Sequence, residues 1–193
     1  MDYSDVKVMK LCKQDEIQSA VTLCKKACGE ANFDFGDFFE KFTESEHYWG
    51  AYVEDQLVGA IRVILPGNDG LPLFSECGWP ELTANIKLEK AVELAMVGLD
   101  KDFRGARYLF LPLYIAFYWY CVANDKEDVY AILNNKIWRL YNIIGIRFDK
   151  IGEEKLYWND PSFPAYLNFP LLMEYLSIHR PDLWNAINTA PGH

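Results

Sequence analysis

The residues best placed to do chemistry lie between Glu93 and Gly105. There the apolar run Glu93-Leu94-Ala95-Met96-Val97-Gly98-Leu99 meets a charged turn, Asp100-Lys101-Asp102-Phe103, and then the pair Arg104-Gly105. A helix opening at this pair would offer unpaired N–H groups and a partial positive charge to an anion. Gly105 would let the anion approach the backbone, and Arg104 and Arg107 would add charge. The same spacing suits a plainer role, in which Asp100 and Asp102 stabilise a helix start. Cys24 and Cys28 stand one helical turn apart, but no His or second Cys pair lies at ligand spacing, and both fall on an apolar face, which points to core packing and no metal. His47, His179 and His193 are too scattered to read as part of a Ser/His/Asp or Cys/His arrangement.

Such residues need a scaffold, and the composition supplies one. The chain has 193 residues, 51% hydrophobic and 16% aromatic, enough for one domain with a sizeable core. That apolar share excludes disorder, and five cysteines in this length exclude a disulfide framework. Nineteen basic against 28 acidic residues leave a net charge of −9 with no Lys/Arg block, which argues against nucleic acid as a partner. Met1-Asp2-Tyr3-Ser4-Asp5 has neither the basic nor the apolar region of a secretory signal, so a cytoplasmic setting with reduced thiols is expected. The uncharged stretch Tyr108 to Ala123 is shorter than the roughly 20 residues that span a bilayer. It contains Pro112 and follows Arg104 and Arg107, so it reads as a buried helix and not as an integral membrane segment.

Periodicity places the elements. Val6 to Leu11 alternates as a strand, and Gln14 to Glu30 is an amphipathic helix with Ile17, Ala20, Val21, Cys24, Ala27 and Cys28 on one face. Phe33 to Phe39 reads as a short helix or an ordered loop. His47 to Val53 and Leu57 to Leu65 form a hairpin about a three-residue turn, Glu54-Asp55-Gln56. Pro66 to Asn85 is a long loop of the functional kind. Ala91 to Leu99 is a strand, and the apolar helix starts near Arg104. Asp128 to Leu133 and Ile146 to Ile151 are strands about a helix, Lys136 to Ile144, that Gly145 ends. Ala165 to Phe169 offers a last strand, before two short helices with Pro170 and Pro181 near their first positions. This order predicts a mixed α/β sheet in one domain, with a core over residues 1–155 and a strand and helical extension over 156–193.

Two segments resemble the GNAT acyltransferase superfamily. Its strand-to-helix motif reads hydrophobic-Asp-Pro-Glu-Tyr-Arg-Gly-Lys-Gly, and Leu99 to Arg107 follows it with Asp100, Asp102, Phe103, Arg104 and Gly105 in register. Its later motif, an Asn, a Tyr seven residues on and a Gly four further, is met by Asn134, Tyr141 and Gly145, then Ile146. Upstream, Ala51-Tyr52-Val53, Leu57 to Pro66, Leu71 to Phe74 and then Glu93 look like the autoinducer (acyl-homoserine-lactone) synthases and the related long-chain N-acyl amino acid synthases. Arg62 falls on their strand Arg, Glu93 on their strand Glu and Asp37 near an N-terminal acidic residue. The resemblance implies a single-domain GNAT-like α/β fold with a mixed, largely antiparallel sheet.

It also implies an N-acyltransferase that moves a medium or long acyl chain from acyl carrier protein or acyl-CoA to a small-molecule amine such as an amino acid, with no metal. In that reading Glu93 is the base for the amine, the backbone N–H of Val97 or Gly98 meets the oxyanion where such strands splay, and Tyr141 protonates the leaving thiol. Leu99, Arg104, Gly105, Ala106, Arg107 and Asn134 would hold the acyl donor, Arg62 the acceptor, and Phe110, Tyr114 and Phe117 the acyl chain. Each has a plainer alternative: Glu93 as a strand-end charge paired with Arg62, Tyr141 as a half-buried helix aromatic, and the aromatic helix as core.

Two departures are informative. Arg107 and Leu109 stand where the family has glycines and would crowd the diphosphate of coenzyme A, which favours a carrier-protein thioester. Ala95-Met96 replaces the Ser-Arg of autoinducer synthases, which favours an N-acyl amino acid synthase over lactone formation. An acetyl-CoA-dependent N-acetyltransferase and a non-catalytic lipid- or carrier-binding module are the alternatives. Lys101, Arg104, Arg107, Lys136 and Arg139 form the basic set that an acidic carrier would meet.

Overall fold

The computed structural model describes residues 6–41, 43–68, 70–75, 78–104 and 107–189, with the side chains of 83–85, 107 and 108 outside the description. Eight strands, β1 (Lys7–Leu11), β2 (Glu46–Val53), β3 (Gln56–Ile64), β4 (Ala91–Leu99), β5 (Asp128–Asn134), β6 (Asp149–Lys150), β7 (Lys155–Tyr157) and β8 (Asp160–Asn168), form one mixed, mostly antiparallel sheet in the order β1-β2-β3-β4-β5-β8-β6, with β7 also paired to β8. By packing, the chain up to Ile64 together with Leu94–Tyr120 makes one compact unit, and Leu65–Glu93 with the chain from Cys121 onward makes a second.

In the first unit β1 (Lys7–Leu11), β2 (Glu46–Val53) and β3 (Gln56–Ile64) run antiparallel in sequence. The hairpin between β2 and β3 turns on two residues rather than three, because Gln56 pairs with Val53. Glu54 and Asp55 both take left-handed backbone, at φ 49° and 63°, as the tightest hairpin turns require. Helix α1 (Gln14–Glu30) buries Ala20, Val21, Leu23, Cys24 and Cys28, where they join Leu11, Phe39, Tyr48 and Ala60, with Met96 packed against them. Phe33 to Phe39 is turn and loop, with an edge-on contact between Phe35 and Phe39 at 5.2 Å.

The last six residues of β4 (Ala91–Leu99) belong to this unit, as does most of α3 (Arg107–Ala123). Every residue of α3 from Leu113 to Phe117 is buried, so the middle of the apolar run is buried all round and is not a surface stripe. No helix of the described residues is long and apolar enough to cross a membrane. The helix starts later than the Arg-Gly pair suggests, because Lys101–Phe103 forms a separate 3₁₀ turn capped by Asp100.

In the second unit the long loop is largely ordered into α2 (Pro72–Ser75) and two 3₁₀ turns, Pro80–Asn85 and Leu88–Lys90. Ala91, Val92 and Glu93 of β4 pair in parallel with Asp128, Val129 and Tyr130 of β5 (Asp128–Asn134). Helix α4 (Asn135–Ile144) follows at once, and Gly145 ends it in left-handed backbone at φ 95°. A Cβ at Gly145 would sit 2.8 Å from Leu183. The last strand is longer than its sequence suggests: β8 (Asp160–Asn168) pairs with β5 over seven residues and includes Pro161 and Pro164.

Pro164 explains its neighbour as well. Its carbonyl accepts from Ile151 N–H, so the side of Pro164 that lacks a donor faces β6 rather than β5. The expected strand Ile146 to Ile151 therefore pairs only at β6 (Asp149–Lys150). A short β7 (Lys155–Tyr157) that the periodicity does not reveal pairs beside it on β8. Helices α5 (Phe169–His179) and α6 (Pro181–Thr189) close the chain as expected.

Candidate active site

Glu93 is the third residue of β4 and is only 2% exposed, so it is not a strand-end charge. Its Oε2 accepts the N–H of Leu73 at 2.8 Å. That bond ties the ordered part of the long loop to β4, with Leu71, Leu73 and Phe74 fully buried against Ala91 and Tyr130. Tyr130, which pairs with Glu93 across the parallel ladder, lies edge-on to Phe74 and tilted to Tyr166, each ring centroid 5.3 Å away. Burial and the neighbouring Asp128 push the Tyr130 phenol up to about 12. Asp128 itself accepts from the Tyr166 hydroxyl at 2.6 Å and from Asn168 Nδ2 at 2.9 Å. A carboxylate buried in this way has exchanged hydration for fixed partners of the fold, the Leu73 N–H among them.

Helix α4 supplies the second group. Asn134 caps it by accepting Ile137 N–H at 2.8 Å and donates to Asp160. Seven residues on, Tyr141 is buried, at 2% exposed, with its ring edge-on to Phe148 at 4.9 Å. Burial raises its phenol pKa well above the ordinary tyrosine value, so the hydroxyl keeps its proton at neutral pH and acts as a donor. The structure thus makes Tyr141 a fully buried aromatic rather than a half-buried one.

In the first unit, β4 continues through Val97 and Gly98. Gly98 is buried because α1 crosses close over it: a Cβ there would lie 3.0 Å from Cys24 Sγ and 3.1 Å from Cys24 Cα. Burial holds the Cys24 thiol up to about 12 and that of Cys28 up to about 11, so both stay neutral and pack as small apolar groups. No three His, Cys, Asp or Glu of the described residues gather closely enough to hold a metal ion.

Arg62 is entirely buried. Its Nε and Nη2 reach Glu46 Oε2 at 2.8 and 2.7 Å, and Nη1 and Nη2 reach the carbonyls of Phe38 and Lys41 at 3.1 and 2.7 Å. The guanidinium also lies over the rings of Phe38 and Phe39. Asp37 is exposed, in an ion pair with Lys41 at 3.3 Å. On α3, Phe110, Tyr114 and Phe117 form a continuous ladder, with centroids 6.4 and 6.1 Å apart.

By sequence the chain matches no protein-family profile and no curated protein. By structure it is similar to an N-acyl amino acid synthase, FeeM, from uncultured soil microbes, at a TM-score of 0.77 and 19% identity over 90% of this chain and 96% of that one. It is also similar to the acyl-homoserine-lactone synthase LasI, at 0.64 and 13% over 85% and 89%. A GNAT family acetyltransferase from Elizabethkingia anophelis, solved with acetyl-CoA bound, follows at 0.59 and 9% over 85% and 98%. The chain has the GNAT fold. Within it, β4 leads into α3 and β5 into α4, and these two crossovers carry the two motifs read from the sequence.

The GNAT fold also shows which expected donor contacts have other partners. Arg104 pairs with Glu30 and donates from Nε to the Leu99 carbonyl at 3.1 Å. Asp100 caps its turn through Asp102 N–H at 3.1 Å and pairs with Lys26 at 3.0 Å, which is the plainer role. Leu99 packs with Val53, Val58 and Leu109. Leu109 is fully buried in that cluster: helical phase turns its side chain inward. Gly105 and Ala106, and the side chain of Arg107, lie outside the described residues. Two partners escape sequence reasoning, Glu46 beneath Arg62 and the Leu73 N–H on Glu93. Glu46 stands one residue outside the strand start that alternation suggests, and a backbone donor in a loop leaves no side-chain signature.

Proposed function

We propose that this chain is an N-acyltransferase that moves an acyl group, of medium or long chain, from a carrier-protein or coenzyme A thioester to an amine such as an amino acid. The observation that carries the reading is that, in the GNAT fold, β4 carries a buried carboxylate and α4 a buried, protonated phenol. Glu93 takes a proton from the amine, directly or through one water, so that the nitrogen lone pair is free to attack the thioester carbon. The backbone N–H of Val97 or Gly98 receives the oxyanion that forms. As the C–S bond breaks, Tyr141 donates its hydrogen bond, and then its proton, to the departing sulfur.

Arg62 acts in this scheme by holding the 38–41 backbone and Glu46 on the acceptor side rather than by touching the amine. Phe110, Tyr114 and Phe117 are the acyl-chain residues, and Asn134 keeps the start of α4 in place for the donor. An acetyl-CoA-dependent N-acetyltransferase is the second reading, favoured by the inward turn of Leu109 and by the likeness to an acetyl-CoA-bound relative.

Thiol release decides between them. The protein is mixed with decanoyl-acyl carrier protein, decanoyl-CoA or acetyl-CoA, each with a pool of amino acids, and free thiol is followed together with the acylated product by mass spectrometry. Release from the decanoyl donors with little from acetyl-CoA is the expected result. Release from acetyl-CoA alone supports the second reading, and none from any donor sinks both.

A further inference from the structure

The side chains level with Glu93 across the second unit include one hydroxyl that the acyl-transfer scheme does not use. Glu93 pairs with Tyr130, and Tyr130 with Tyr166. Two residues along the same strands Asp128 pairs with Asn168, and because alternate residues of a strand share a face, all five side chains stand on one side of the sheet. Most of the polar groups there are committed. The Tyr166 hydroxyl donates to Asp128 Oδ1 at 2.6 Å, and Asn168 donates to the same oxygen at 2.9 Å while capping α5 through the Leu171 N–H at 3.1 Å. Glu93 holds the Leu73 N–H. Tyr130 differs. Its ring is held by contacts with Phe74 and Tyr166 and it is only 6% exposed, yet its hydroxyl makes no hydrogen bond among the described residues and is not sealed from solvent. Buried tyrosines generally place the hydroxyl on a partner. A clamped ring with an open hydroxyl, beside a buried carboxylate, is the arrangement of a donor set in advance for a ligand.

We propose that Tyr130 selects the acyl acceptor: its hydroxyl donates to an oxygen on the carbon next to the one that bears the nucleophilic nitrogen, so that the substrate is an amino acid or an amino alcohol and not a bare alkylamine. The inference rests on the acyl-transfer reading above and names the substrate class of that site. In that reading Glu93 takes the proton of the nitrogen, and Tyr130 stands level with it on the neighbouring strand, about 4.8 Å away. A nitrogen and an oxygen on adjacent carbons can therefore meet the two side chains together. Burial and the charge of Asp128 keep the phenol protonated, so it brings a donor. An ammonium nitrogen cannot accept it, whereas a carboxylate or a hydroxyl can. Donation to a carboxylate is charge-assisted and the stronger of the two, which ranks an amino acid above the amino alcohol. Tyr130 keeps its own proton throughout, and the bonds made and broken remain those of the transfer, an amide formed and a thioester cleaved.

The test uses the full chain, whichever of decanoyl-acyl carrier protein and decanoyl-CoA releases thiol, and three acceptors that share one side chain: the amino acid that wild type acylates best in the pool, the amino alcohol that carries a hydroxymethyl group in place of its carboxylate, and the amine that lacks both. Wild type should use the amino acid best and the bare amine worst. Tyr130→Phe keeps the ring contacts and removes a hydroxyl that has no bond within the fold to lose, so the melting temperature should not fall. In this variant the KM for the amino acid should rise about tenfold or more, as the loss of a hydrogen bond to a charged group gives, with a smaller rise for the amino alcohol. The bare amine, the KM of the donor and kcat should barely move. The proposal is overturned if wild type uses the bare amine as well as the amino acid, if Tyr130→Phe changes all three acceptors equally or none, if the donor KM rises instead, or if the melting temperature drops and so gives the hydroxyl a structural partner. Thiol release separates this claim from the one beneath it. No release from any donor with any acceptor removes the acyl-transfer reading, whereas release with an acceptor KM unmoved by Tyr130→Phe removes the role of Tyr130 alone.

Discussion

Glu93 and Tyr141 differ in what a conservative substitution leaves behind, and that difference makes their roles separable. Glu93→Gln keeps an oxygen for the Leu73 N–H, so the loop stays tied to β4 while the base is lost. Turnover should fall about 10²–10⁴-fold with an unchanged melting temperature, and a variant within threefold of wild type would remove Glu93 as the base. Tyr141→Phe keeps the contact with Phe148 and should lower kcat with little change in KM; because burial raises the phenol pKa, no loss of activity attributable to Tyr141 should appear below about pH 10. Arg62 belongs to a different class of residue. Removing a fully buried guanidinium takes the charged partner from Glu46, which keeps only the hydroxyl of Tyr48 beside it, and a donor from the carbonyls of Phe38 and Lys41, so Arg62→Met should cost about 3–5 kcal/mol of stability. Urea unfolding measures it, and a loss below about 1 kcal/mol would mean that the Glu46 and 38–41 contacts contribute little to holding the fold.

At the scale of elements, what was legible in the sequence followed how purely local each signal was. Helix α1 and strand β4 are read to the residue, because an unbroken 3.6-residue or apolar pattern sits between clear stops. The motifs on β4 and α4 are legible for the same reason, and they bring Glu93 and Tyr141 onto buried faces. β7 and most of β8 are not legible: Pro161 and Pro164 speak against a strand, and only the tertiary fact that Pro164 turns its missing donor toward β6 permits one. The partners of Arg62 and Glu93 are equally hidden: Glu46 stands just before the alternating run of β2, and the backbone groups of Phe38, Lys41 and Leu73 leave no side-chain signal. The β2–β3 turn is a third case, in which Glu54-Asp55 contradicts the Asn-Gly preference of a turn with two left-handed residues. Glu54→Asn with Asp55→Gly should therefore stabilise the hairpin by about 1 kcal/mol, read as a melting temperature higher by several degrees; no rise would mean that side-chain contacts at the turn outweigh backbone strain.

For the molecule as a whole, net charge and burial pull in different directions as pH changes, and one residue dominates near neutrality. His47 on β2 lies against the rings of Tyr120 and Trp49, at 5.4 and 6.4 Å, with Lys10 over the same two rings. Burial first, and Lys10 second, lower its pKa below the ordinary histidine value. The folded state therefore binds fewer protons here than the unfolded chain, whose His47 titrates near 6.5. This contribution is present in full above about pH 6.5 and is lost as pH falls toward the lowered folded value. The acidic chain would otherwise gain from acidification in this window, as its self-repulsion decreases. Global stability by urea unfolding should thus decline from pH 7 to pH 5.5 in wild type, whereas His47→Phe, which keeps the ring contacts without the titration, should show a flat or rising profile. Parallel slopes in the two proteins would assign the acid sensitivity to carboxylates elsewhere and detach it from this cluster.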